Sequence, residues 1–184
     1  MLTTKSVAKA KAAAKPLANP SAVEVSPNNP LMCAEPAAMY AARDSRANSE
    51  HAKFSGLLAQ QNLSSDFDIA KLVHNRLSLT VIDRLLAEGI TKQEINLIAP
   101  QRTLAHRRAK SEPLTIDESD RAVRLARVIA QAESVLADQA KAMAWLRRPM
   151  KRFEGMSPLD MLVSDVGSRL VEEALVQIDE GFFA

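Results

Sequence analysis

The residue types and spacing most suited to recognition chemistry lie in TKQEINLIAPQRTLAHRRAK, residues 91–110. Its second half carries Gln101, Arg102, Thr103, His106, Arg107, Arg108 and Lys110, with no acid after Glu94. Glutamine and arginine can each make paired hydrogen bonds to the edge of a base. A threonine beside the free amides of a helix start suits a phosphate, and Arg108 and Lys110 would lie near a polyanion backbone. Such side chains act together only on a rigidly held helix. Ile95, Leu97 and Ile98 can anchor a first short helix on a core and Leu104 a second, with the hinge at Pro100. Two short helices crossing at a tight turn, the second offering its N-terminal polar residues, is the helix-turn-helix way into a DNA major groove. A basic helix that is simply solvated fits the same pattern.

Other chemistries find little support. His51, His74 and His106 are not spaced with Cys33 or with carboxylates as metal ligands would be. The five glycines, Gly56, Gly89, Gly155, Gly167 and Gly181, stand apart and make no phosphate-cradling loop. Adjacent acids such as Glu172 and Glu173 fall on a helix face that reads as solvated, a poor place for a paired general acid and base. The expectation is a protein that binds and is not an enzyme, with no metal and no cofactor.

The elements that must position these residues are helices. Of 184 residues, 47% are hydrophobic and 25% charged, enough for one folded unit and a tail. Glycine is scarce, and Ala, Leu, Arg and Glu are plentiful, which favours an all-α fold. A lone Cys33 makes no internal disulfide, and no apolar run of about 18 residues is present to span a membrane. Lysines interrupt the apolar start MLTTKSVAKAKAAAKPLANP, so no signal-peptide core forms and the cytoplasm is the expected location.

A Ser or Thr followed three places later by an acid marks five helix starts: Ser65/Asp68, Thr80/Asp83, Thr91/Glu94, Thr115/Glu118 and Ser157/Asp160. Pro158 at a first helical position strengthens the last. The spacing predicts helices over 69–76, 81–88, 92–98, 101–108, 116–136, 139–146, 158–163 and 166–179. In the longest, Ala122, Leu125, Ala126, Ile129, Ala132 and Leu136 make one buried stripe, with Arg121, Arg124 and Arg127 off it. In the last, Val166, Leu170, Val171, Ala174, Leu175 and Ile178 do the same and leave Glu172, Glu173 and Glu180 in water. Trp145 reads as core. Five of nine prolines fall in the first 36 residues, so the start reads as a mobile arm whose lysines Lys5, Lys9, Lys11 and Lys15 are solvated or touch a polyanion. Residues 37–62 are Ala-rich, with one or two loose helices and no sharp apolar face.

Charge divides the chain further. Residues 100–152 hold twelve Lys and Arg against six acids, whereas residues 153–184 hold seven acids against Arg169 alone. Two oppositely charged surfaces point to two partners. Arg147, Arg148, Lys151 and Arg152 read equally as a solvated loop or a phosphate contact.

Four runs in order, APQRTLAHRRAK, LTIDESDRAVRLARVIAQAESVL, AMAWLRRP and MSPLDMLVSDVGSRLVEEALVQIDEGFFA, resemble the Xre/MbcA/ParS antitoxin family, partners of RES-domain toxins, over residues 67–184. The resemblance implies a helix-turn-helix that binds and represses its own operon, followed by a toxin-binding domain. It also implies antitoxin homodimers within a toxin–antitoxin heteromer, in which the C-terminal region blocks the active site of an NAD-destroying RES toxin. The expected organisation is an N-terminal arm over 1–66, a DNA-binding domain over 67–114 and a toxin-binding domain over 115–184. The turn at Ala99-Pro100 departs from the longer glycine-containing turn of ordinary helix-turn-helix regulators, and residues 1–66 match nothing in the family pattern.

The charge map fits that implication. A pocket that binds NAD needs cations for its phosphates, and Asp179, Glu180 and the terminal carboxylate of Ala184 complement them, with Phe182 and Phe183 filling apolar space beyond Gly181. The two Phe folding back on their own core is the alternative for the tip. For the whole chain the alternatives are a stand-alone helix-turn-helix regulator with operator DNA as its partner, or a protein-only adaptor.

Overall fold

Thr115 begins the longest buried helix. Its hydroxyl accepts from the Glu118 amide at 3.2 Å, and the Glu118 carboxylate accepts from the Thr115 amide at 2.7 Å, so both open donors of the first turn are satisfied. No Gly or Pro interrupts the chain until Ala137, which ends the helix at φ 52°.

The structure, a computed structural model, describes residues 34–60, 63 and 65–181. All regular structure among them is helical: α1 (Ala34–Leu58), α2 (Asp66–His74), α3 (Thr80–Ala87), a 3-10 turn (Glu94–Leu97), α4 (Gln101–Lys110), α5 (Ile116–Leu136), α6 (Gln139–Arg147), a second 3-10 turn (Lys151–Phe153), α7 (Pro158–Met161) and α8 (Asp165–Asp179). Half of the expected arm, residues 1–33, lies outside the described residues.

Helix α5 is the hub. Helices α1, α2, α3, α6 and α8 all pack on it. It therefore buries more than the one expected stripe: Val123, Val128 and Ala130 join Ala122, Leu125, Ala126, Ile129 and Ala132 in the core. Its alanines keep the α5 surface low, which lets neighbouring backbones approach closely.

Helix α1 corrects the reading of residues 37–62. Of the one or two loose helices expected there, one continuous 25-residue helix forms, and its final turns insert Phe54, Leu57 and Leu58 into the common core. Lys53 fixes it further, at 2.5 Å from Glu88 and 3.0 Å from Glu133.

Reciprocal Ser or Thr caps form at Ser65, Thr91, Thr115 and Ser157 as expected. Thr80 does not cap. It is the first residue of α3, and the Asp83 carboxylate is taken by Arg108 instead. Asp138 and Ser164 supply two caps that the Ser/Thr-to-acid pattern does not capture, because neither is followed by an acid three places on. The expected helix over 92–98 shrinks to a single 3-10 turn. Seven residues before a proline leave little room for an α-helix, since Pro100 disfavours helical backbone at Ala99.

The inward face of α8 is also rotated from the expected one. Gly167, Ser168, Val171, Ala174 and Leu175 are buried, whereas Val166 is 69% and Leu170 43% exposed. Gly167 explains the rotation: a Cβ there would lie 2.0 Å from the Met161 carbonyl oxygen, so this point of α8 lies against the end of α7. Glu172, expected in water, is half-buried, and burial pushes its carboxyl above the ordinary value.

Gly167→Ala should therefore lower unfolding free energy by about 1–3 kcal/mol through overpacking. Gly56→Ala, in α1 with open space around the added methyl, should raise it by about 0.5–1 kcal/mol. Urea unfolding of the two variants beside the parent chain checks both signs.

Candidate nucleic-acid interface

Helix α4 is set on the core by few contacts. Leu104 is its buried residue; Ile95 of the preceding 3-10 turn and Ile98 just after that turn are also in the core, with Leu97 half-buried. Pro100 occupies the N-cap, and no side chain accepts from the first amides of α4. The residues at that positive end of the helix dipole, Gln101 and Arg102, are exposed. Gln101 donates its amide nitrogen to the Lys92 carbonyl at 2.6 Å, tying the start of α4 to the turn before it.

The structure sorts the seven expected contact residues into three groups. Arg102, His106 and Lys110 are exposed and make no hydrogen bond or ion pair among the described residues; a helical spacing of four puts them on one face. Gln101 is exposed but braced, Thr103 is half-buried at the first turn, and Arg108 pairs with Asp83 at 2.5 Å across an exposed gap. Arg107 is the outlier. It turns inward, with Nε 3.1 Å from Glu118 and a terminal nitrogen donating to the Pro113 carbonyl at 3.3 Å. Its side chain is 15% exposed, so it locks the end of α4 to the start of α5 and is not presented to a partner. Cations in this last turn also complement the helix dipole.

A second set of contacts holds the same corner. The Leu77 amide donates to the buried hydroxyl of Ser119 at 3.0 Å, the Leu114 amide to the Leu77 carbonyl at 2.9 Å, and Arg76 Nε to the Leu114 carbonyl at 2.8 Å. The chain before α3 and the chain before α5 are thereby bonded into one support for α4.

Two functional candidates, Lys92 and Arg46, escaped the sequence reading, and Arg147, expected in a solvated loop or at a phosphate, is instead held by Glu94. Lys92 is exposed beside the start of α4, where the Gln101 bond places it. Arg46 of α1 pairs with Asp179 at the end of α8. Arg147 makes a two-pronged pair with Glu94 at 2.6 and 2.8 Å, which holds the Glu94 carboxyl down at about 2. Only the Thr91/Glu94 cap gave a local hint for Lys92. The other two pairs span more than fifty residues and leave no local pattern.

The acidic end of the chain is partly described. Asp179 is engaged by Arg46, Glu180 is exposed, and Gly181 has φ 77°. Phe182, Phe183 and Ala184 lie outside the described residues. Exposed Val163, Val166, Leu170 and Val176 add apolar surface along and just before α8. Trp145 is half-buried against the core; of the basic stretch after it, Arg147 is paired, Arg152 bonds Gln177 at 2.8 Å, and Arg148 and Lys151 are exposed. A cleft of about 450 Å³ runs between α2, α5 and α8, with Arg124 paired to Asp120, Arg127 to Asp66 and Arg169 to Asp165 around it. Among the described residues no helix is long and apolar enough to cross a membrane.

Comparison with known proteins agrees with this geometry. Residues 68–127 match the family described as the antitoxin Xre-like helix-turn-helix domain, and residues 131–181 match the antitoxin Xre/MbcA/ParS C-terminal toxin-binding domain. The chain is 39% identical over 141 residues to "Antitoxin Xre" of Pseudomonas putida, covering 76% of this chain and 89% of that one. It is 30% identical over 91 residues to "Prs ADP-ribosylating antitoxin" of Sphingobium sp., covering 45% and 57%, and 28% identical over 118 residues to "Antitoxin Xre" of Yersinia enterocolitica, covering 64% and 74%. The basic helix α4 thus lies within the helix-turn-helix match and the acidic helix α8 within the toxin-binding match, and the chain belongs to the Xre family of antitoxins.

Proposed function

We propose that this antitoxin represses its own operon through α4 and neutralises a RES-domain, NAD-degrading toxin with its C-terminal end. The observation that carries the first part is the uncapped start of α4 beside the outward row Arg102, His106 and Lys110. Backbone amides take a phosphate there, Arg102 and Gln101 reach base edges, and Lys92, Arg108 and Lys110 follow the DNA backbone. Thr103 adds a hydroxyl near the same phosphate. Arg107 serves as the internal brace, and the two copies of a symmetric dimer address two half-sites.

The second part draws on the acidic tail and on the ADP-ribosylation named for the Sphingobium relative, a chemistry that consumes NAD. Asp179, Glu180 and the Ala184 carboxylate oppose the cations of a phosphate-binding pocket. Phe182 and Phe183 occupy its apolar part, and Gly181 lets the chain turn off the end of α8. The exposed strip Val163, Val166 and Leu170 supplies burial beside the tip. The mechanism is stoichiometric occlusion in the cytoplasm, where operator and NAD are both present, without catalysis by the antitoxin itself.

Two outcomes are expected. Arg102→Ala should cost about 1–3 kcal/mol of binding to DNA from upstream of its own gene, whereas Lys110→Ala should weaken all sequences alike and reduce the salt slope by about 1; anisotropy titrations at several salt concentrations separate them, and an affinity indifferent to salt rules out the interface. Removing residues 181–184 should abolish rescue of growth from the co-expressed toxin and leave DNA binding intact; full rescue by the shortened chain refutes the plug.

A further inference from the structure

Arg147 belongs to α6, inside the region matched as toxin-binding, yet its guanidinium reaches into the helix-turn-helix. Nε and one terminal nitrogen grip the two oxygens of Glu94 at 2.6 and 2.8 Å, and the same terminal nitrogen donates to the Gly89 carbonyl at 2.8 Å. All three bonds end on the segment that joins α3 to α4. Glu94 in turn accepts from the Thr91 amide at 2.7 Å, while the Thr91 hydroxyl accepts from the Glu94 amide at 3.2 Å. The carbonyl of the next residue, Lys92, accepts from Gln101 at 2.6 Å. An unbroken run of bonds therefore leads from α6 to the first residue of α4, whose start has no side-chain cap.

We propose that Arg147 is a positioning residue for DNA binding: through Glu94 and Gly89 it fixes the turn that places the start of α4, and so links operator recognition to the toxin-binding half. This rests on the DNA-binding reading given above. The arginine end of the pair is open to water, with the Arg147 side chain 40% exposed against 18% for Glu94, so solvent screening keeps its contribution to overall stability modest. Its geometry is orienting. A two-pronged guanidinium–carboxylate pair fixes direction as well as distance, which a lysine cannot reproduce. Gly89, at φ 92°, lies where the chain reverses after α3, so displacement of its carbonyl swings the whole turn. Being exposed, the pair also lies where a protein seated on α6 can break it.

The test uses the full chain and two DNA fragments of equal length, one from upstream of its own gene and one scrambled. Arg147→Ala and Arg147→Lys are expected to weaken binding to the upstream fragment by about tenfold while binding to the scrambled fragment and the melting temperature stay close to the parent values. Glu94→Gln should give the same loss, and adding it to Arg147→Ala should give no further loss. Unchanged upstream binding in Arg147→Ala overturns the proposal, and so does an equal fall on both fragments with a lowered melting temperature, which marks a merely structural pair. A parent chain that does not distinguish the fragments overturns the DNA-binding reading and this inference together, whereas a discriminating parent with an equally discriminating Arg147→Ala overturns this inference alone.

Discussion

Desolvation of α5 is the constraint on which the rest of the molecule depends. A 21-residue helix that buries ten of its residues needs partners on most of its circumference, and α1, α2, α3, α6 and α8 supply them. Alanines at 122, 126, 130 and 132 make close approach possible, while Leu125, Val128 and Ile129 fill the space between neighbours. Each surrounding helix is too short or too polar to bury its own apolar side alone. Orientation of every functional element is thus referred to one rod.

That arrangement explains how both family domains share one core. The helix-turn-helix match ends at residue 127 and the toxin-binding match begins at residue 131, both within α5. Leu104, Ile95 and Ile98 bury on the same cluster as Leu146, Val171 and Leu175. A boundary drawn at residue 114 follows the end of α4 and its loop, but the core runs through it. Domain identity here belongs to surfaces and not to separate hydrophobic interiors.

Charge placement follows the same logic. The basic residues of α4 separate by their environment: Arg107 faces Glu118 across a half-buried junction, Arg108 meets Asp83 at the surface, and Arg102 and Lys110 face water, as does His106. An inward arginine whose charge is met by a carboxylate and a carbonyl holds the helix in place. Outward cations with no partner leave a field for a polyanion. At the other end, Arg46 answers Asp179, so a helix placed in the chain's first third steadies the acidic terminus.

The sequence by itself determined whatever is encoded within one turn of helix. The all-α class, the bounds of α5, the caps at Ser65, Thr91, Thr115 and Ser157, and the location of α4 and its row of bases are local, because capping and amphipathic spacing act over three or four residues. Motif order was legible for the same reason and pointed to the family. Tertiary structure alone decided which way side chains face. Arg107 turned inward because Glu118 lies across the α4–α5 corner, α8 rotated because the Met161 carbonyl excludes a Cβ at Gly167, and α1 became one helix against α5 through Phe54, Leu57 and Leu58. Arg147 holds the 3-10 turn of the 92–98 segment from fifty-three residues away. Such contacts are set by packing between elements remote in the chain, and no pattern within a single turn carries that information.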